Sequence, residues 1–147
     1  AAKIGPILTL KENKYKDALE SYGKNLGLTF QIADDTLDYN SEIKFFGKKI
    51  GNDFYEGKIT LPIILLYQKA KSDEKKNLRD FFEKNNRTES DLIEVLSMIK
   101  KYNIISDCYL KAEHFINLAS NSLSIFNESK EKEIFQNLTS FTLERNF

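Results

Sequence analysis

The feature that most constrains the fold is the run Ile105, Cys108, Ala112, Phe115, Ala119, Leu123, Phe126. Apolar residues recur there three and four apart over about six turns, a near-heptad period that only an amphipathic helix satisfies. Leu19, Tyr22, Leu26, Phe30, Ala33 and Leu37 repeat the pattern over about six more turns. Thr60 is placed to cap a further helix, with Pro62 in its first turn and Ile63, Ile64 and Tyr67 after it. Ser72 is the expected N-cap of a helix carrying Leu78, Phe81 and Phe82, and Thr88 of one carrying Leu92, Leu96 and Ile99. Ile134, Leu138 and Phe141 are expected to face the core from the last helix. No stretch sustains strand alternation, and no repeat, low-complexity tract or linker interrupts the series. Residues 1–147 are therefore expected to form a single all-α helical bundle domain.

Composition narrows the function. Lysine plus arginine equal aspartate plus glutamate at 22 each, so the formal net charge is zero and the basic excess of a nucleic-acid binder is missing. The single cysteine, Cys108, excludes an internal disulfide framework and fits a reducing, cytoplasmic setting. No apolar run approaches a membrane span. The opening AAKIGPIL lacks the charged lead and apolar core of a secretory signal, and it reads as the end of a helix whose start lies upstream.

The stretch that carries chemistry is FQIADDTLD, Phe30 to Asp38. Gln31, Asp34, Asp35 and Asp38 fall at i, i+3, i+4 and i+7, so a helix gathers them on one stripe. Like charges four apart repel by roughly 0.2–0.5 kcal/mol a pair. A solvated acidic face tolerates that; a hard divalent cation offsets it, since magnesium prefers carboxylate oxygens. The next segment, residues 41 to 58, breaks the helical period and reads as a structured loop with Gly47, Gly51 and Gly57 among charges. It adds Lys48, Lys49 and Lys58, and its glycines allow backbone to approach a ligand closely. Carboxylates beside lysines suit a metal held together with a polyanion such as diphosphate. Ordinary surface charge remains the alternative for Lys44 and Lys49.

Phe30 to Asp38 resembles the second aspartate-rich motif, FQxxDDxxD, of the trans-isoprenyl diphosphate synthases. Gly47 to Pro62, GKKIGNDFYEGKITLP, looks like the loop that follows it in the long-chain members, the octaprenyl and solanesyl diphosphate synthases. Glu56, Gly57 and Lys58 resemble the long-chain polyprenyl branch more than the farnesyl branch. The resemblance implies the carboxyl-terminal half of the isoprenoid synthase fold, with the motif at 30–38 and the lysine and glycine loop at 44–58. It also implies a role for each residue. Asp34 would be the main magnesium ligand, with Asp35 and Asp38 binding directly or through water. Lys48 and Lys58 would hold the diphosphate of the allylic substrate. Phe30 and Gln31 would line the site near isopentenyl diphosphate. The family reaction ionises an allylic diphosphate, lets isopentenyl diphosphate attack the carbocation, and ends in proton loss. Its product here would be a long-chain polyprenyl diphosphate, a precursor of quinone side chains.

The family's first aspartate-rich motif does not occur in this chain. The 147 residues are accordingly expected to bind magnesium diphosphate weakly and to turn over nothing unless an upstream half is supplied. A truncated or split synthase fits best, with dimerisation expected of the full-length protein. A helical subunit or interaction module that complements a partner chain is the alternative. Among other candidates, Cys108 lies on an apolar stripe and reads as an inert buried thiol. His114 lies off that stripe with no second ligand at metal spacing, and reads as a surface residue. Phe45 and Phe46 are expected to pack on the bundle, and Tyr39 and Tyr55 are candidates for the border of the site.

Overall fold

The computed structural model describes residues 2, 4–9, 12–40 and 50–146, with side chains as far as Thr142. Among these residues eight helices run in order: α1 (Ile4–Leu8), α2 (Asn13–Leu37), α3 (Asn52–Glu56), α4 (Leu61–Lys69), α5 (Ser72–Glu83), α6 (Glu89–Lys101), α7 (Ile104–Ser122) and α8 (Lys130–Asn146). The described residues contain no strand, as the helical periodicity predicts. No described helix is long and apolar enough to cross a membrane. Contacts divide the chain into two compact units, residues 1–32 with 110–147, and residues 33–109.

In the first unit, α2 supplies Tyr22 and Leu26 to a cluster completed by Ile116 and Ala119 of α7 and by Leu123, with Leu19, Phe126 and Phe135 packed against it. Tyr22 is the hinge of this packing. Its ring meets Phe135 of α8 edge-on at 5.1 Å, and its phenol donates to the Phe135 carbonyl at 2.9 Å. Burial pushes its pKa up to about 12. The inward face of α8 is Phe135, Thr139 and Thr142, not the stripe expected from sequence. Ile134, Leu138 and Phe141 are 65%, 40% and 53% exposed. Thr139 and Thr142 can be buried because their hydroxyls donate back into α8, to the carbonyls of Gln136 and Leu138 at 2.5 and 2.8 Å. Thr29 of α2 does the same to Asn25 at 3.1 Å.

The second unit is built around Phe54, Leu66, Leu78, Val95, Ile99 and Ile104, all buried. Thr88 caps α6 as expected: its hydroxyl accepts from the Asp91 N–H at 3.3 Å, while Asp91 accepts from the Thr88 N–H at 2.9 Å. Thr60 occupies the N-cap position of α4 with extended backbone, but its side chain makes no capping bond. At α5 the cap moves one residue upstream. Ser72 is the first helical residue, and Lys71 is the cap, its N–H bonded to Glu74 at 2.9 Å. The N3 carboxylate decides this, because Glu74 is three residues from the first helical position's predecessor and reaches it directly. Helix α3 lies where the sequence predicted only loop. Cys108 is buried, its thiol raised to about 11 by desolvation, and His114 is exposed, both as expected.

Two carboxylates tie this unit together. Glu74 also accepts from Lys101 at 2.7 Å and from the Tyr102 phenol at 2.5 Å, and these bonds, that to Lys101 foremost, hold its pKa at about 2. Asp91 accepts from Lys84 at 2.8 Å, and that bond with the Thr88 N–H likewise holds it at about 2. Both lie below their ordinary 4.5 and 3.8, so their stabilisation is complete above the ordinary values and is lost as pH falls toward the folded ones. The urea midpoint should therefore drop between about pH 5 and pH 2, and the slope should flatten in a Glu74→Gln, Asp91→Asn double variant. In the first unit, Tyr22→Phe should lower unfolding free energy by about 1 kcal/mol, read from the same titration at pH 7.

Candidate functional site

The acidic stripe lies on the last two turns of α2 and just beyond. Asp34 is exposed, Asp38 is half-buried, and Asp35 is buried at 7% exposure. The sequence placed all three on one open face. Asp35 instead turns inward, because Ile32 and Thr36 on either side of it are themselves buried and widen the inward face of the helix. Its charge adds to burial in raising the pKa of Tyr39 and of the Cys108 thiol.

Asp38 organises the start of α3. Its backbone carbonyl accepts from the Gly51 N–H at 2.8 Å. Its carboxylate oxygens accept from the N–H groups of Asn52 at 3.2 Å and Asp53 at 2.9 Å. Three successive backbone donors at the start of α3, orphans of the first helical turn, thus converge on one residue. Gly51 makes the approach possible. Its φ of 83° lies in the left-handed region, and a Cβ there would sit 2.6 Å from Leu92 Cδ2.

At the other end of α3, Gly57 adopts φ 76° and closes the helix, its N–H bonded to the Phe54 carbonyl at 3.0 Å and the Lys58 N–H to that of Asp53 at 2.9 Å. A Cβ at Gly57 would meet Arg87 Nη2 at 2.7 Å. Both glycines therefore serve turning and close packing, where the sequence reading gave them to ligand approach. Lys58 emerges here with its ammonium group 2.7 Å from Glu56 and 3.1 Å from Asp53. Those carboxylates, Glu56 first, raise its pKa, so it is fully charged. Asp53 thereby joins two parts of the site: its N–H contacts Asp38 and its carboxylate contacts Lys58.

Of the other expected site residues, Phe30 is 39% exposed and Gln31 is exposed, both on α2 one turn before Asp34. Tyr39 is buried and Tyr55 is exposed. Lys48, with Lys44, Phe45, Phe46, Gly47 and Lys49, lies outside the described residues. Asp53 and Arg87 were missed from sequence. An acidic residue in the first turn after a Gly-Asn pair was the available signal for Asp53; nothing local marks Arg87, which acts from the far side of α5.

Among the described residues no three His, Cys, Asp or Glu side chains converge into a metal cage. Asp34 is exposed and Asp38 half-buried, and both Asp38 carboxylate oxygens accept from backbone N–H groups. Carboxylate oxygens are the donor type magnesium takes, one or two at a time, with water and phosphate oxygens completing its shell.

Comparison with known proteins places this geometry in a family. Residues 1–99 match the polyprenyl synthetase family model. The all-trans-nonaprenyl-diphosphate synthase (geranyl-diphosphate specific) of Rhodobacter capsulatus is 31% identical over 146 residues, covering 98% of this chain and 44% of that protein. A short chain isoprenyl diphosphate synthase of Methanothermobacter thermautotrophicus is 30% identical, covering 99% of this chain and again 44% of the relative. The crystal structure of a polyprenyl synthase from Caulobacter crescentus, complexed with calcium and isoprenyl diphosphate, superposes with a TM-score of 0.84 at 29% identity, over 99% of this chain and 44% of that one. The chain thus spans less than half the length of the relatives it matches, and it belongs to the polyprenyl synthetase family.

Proposed function

We propose that this chain carries the second diphosphate-handling site of a prenyltransferase that condenses isopentenyl diphosphate with an allylic diphosphate. The observation that carries the reading is the continuous chain of contacts from Asp38 through Asp53 to Lys58, which puts oxygen ligands beside a charged ammonium group. A metal site needs the first and a polyanion the second. In this reading Asp34 and Asp38 attract the cation, Asp35 adds negative potential from within, and Lys58 and Lys48 hold phosphate oxygens. Phe30 and Gln31, exposed on the preceding turn of α2, line the approach for isopentenyl diphosphate. Magnesium, when bound, supplies charge neutralisation for the departing diphosphate. Lys58 must exchange its carboxylate partners for phosphate, and apolar helix faces keep water from the allylic cation.

Support for a divalent metal comes from the Caulobacter relative, which was crystallised with calcium and an isoprenyl diphosphate. A long-chain product is supported by the wording of the loop from Gly47 to Pro62. The matched relatives include both a nonaprenyl and a short chain synthase, so overall identity does not choose between lengths. A cytoplasmic enzyme, homodimeric in its full-length form or completed by an upstream half, agrees with this chemistry.

The deciding experiment is magnesium-dependent incorporation of labelled isopentenyl diphosphate into a farnesyl diphosphate primer, with and without a co-expressed upstream half of a relative. Product is expected only in the complemented sample and should vanish with Asp34→Ala; a complemented sample that stays inactive would count against the reading. Calorimetry on the chain alone should separate two aspartates by their work. Asp34→Ala should abolish magnesium-dependent diphosphate binding. Asp38→Ala should cost about 2 kcal/mol in urea unfolding as well, because it strands the N–H groups of Asn52 and Asp53.

A further inference from the structure

Helix α3 is gripped at its start by Asp38, and its end needs a second anchor. The carbonyls of Asp53 and Phe54 accept from Lys58 and Gly57, which leaves the carbonyl of Tyr55 to be satisfied from outside the helix. Arg87 does this. It lies in the connection between α5 and α6, immediately before the α6 cap Thr88. Its Nη1 donates to the Tyr55 carbonyl at 3.3 Å and its Nη2 to the Phe82 carbonyl, at the end of α5, at 2.6 Å. The guanidinium sits over the Phe82 ring at 5.5 Å, and Phe82 in turn meets the fully buried Phe54 of α3 edge-on at 5.5 Å. One planar cation therefore joins the carboxyl ends of α3 and α5, where a positive charge is favourable to both helices. It lies directly beneath Gly57, the residue before Lys58. Its Nε is buried without a partner.

We infer that Arg87 is a positioning residue for Lys58: it fixes the turn at Gly57 and so sets where the lysine ammonium stands relative to Asp53 and Asp38. The inference rests on the reading of Lys58 as a diphosphate ligand. The hydrogen bonds of Arg87 go to the Tyr55 and Phe82 carbonyls, so it acts on Lys58 through the backbone of residues 55 to 57. A lysine at 87 retains the charge but has no fork to reach two carbonyls at once, so it restores only part of the effect.

The test is a double-mutant cycle on the 147-residue chain, with inorganic diphosphate and magnesium as the probe. Arg87→Gln should weaken binding about tenfold and Arg87→Lys about threefold, and neither should weaken it further once Lys58→Ala is present. An undiminished tenfold loss in the Lys58→Ala background would overturn the inference. Amide hydrogen exchange reads the same device without ligand. Arg87→Gln, or Arg87→Lys if the first variant does not fold, should speed exchange at Gly57 and Lys58 several-fold and leave the interior amides of α6 unchanged. Unaltered exchange at Gly57 and Lys58 also overturns it. If the unsubstituted chain binds no diphosphate, the proposed function fails, and the exchange comparison still decides whether Arg87 positions Lys58.

Discussion

Three backbone N–H groups, those of Gly51, Asn52 and Asp53, converge on Asp38, and most of the candidate site depends on that convergence. A carboxylate is the strongest acceptor the chain can offer to the open end of a helix. Here it accepts from residues fourteen and fifteen positions further along the chain. The short helix that results would not persist in isolation, since five residues are far below the length at which helices become stable in water. It exists because Asp38 holds one end, the packed ring of Phe54 the middle, and Arg87 the other end. Lys58 inherits its place from that arrangement. The order of cause runs from a side chain to a short helix, then to a cation.

This also explains the double character of the aspartate motif. Asp34, Asp35 and Asp38 fall on one stripe in sequence, yet they meet three environments: solvent, interior and a helix end. A carboxylate that is buried and one that caps a helix differ in how much of their charge remains available to a cation. A shared stripe on a helix therefore does not make equal environments. Of the three, only Asp34 is exposed.

How much could be read from the chain before folding obeys the same division. Long helices with a sustained period, such as α2 and α7, were legible because periodicity alone separates a buried face from an exposed one over many turns. The Thr88 cap was legible because hydroxyl and carboxylate three residues apart form a local, self-contained motif. Helix α3 was not, since its stabilising partners lie outside it in sequence. Arg87 was invisible for the same reason, at thirty residues from the turn it supports. The α5 cap was misplaced by one residue because Ser72 and Lys71 are both admissible until Glu74 selects between them. The glycines were correctly seen as special, but their use depends on Leu92 and Arg87, which local sequence does not reveal.

The last helix shows a related limit and carries a consequence of its own. Its two candidate faces differ in hydrophobicity in the direction opposite to the one chosen: the isoleucine, leucine and phenylalanine stripe looks outward, and the phenylalanine and threonine stripe looks inward. The inward threonines donate their hydroxyls to carbonyls within the helix. Tyr22 supplies the bond between α2 and α8 that is tied to one rotation about the α8 axis, through its phenol and the Phe135 carbonyl. The Tyr22 hydroxyl thus helps fix the orientation of a helix of seventeen residues. That bond therefore leaves Ile134, Leu138 and Phe141 on the outward side of the helix.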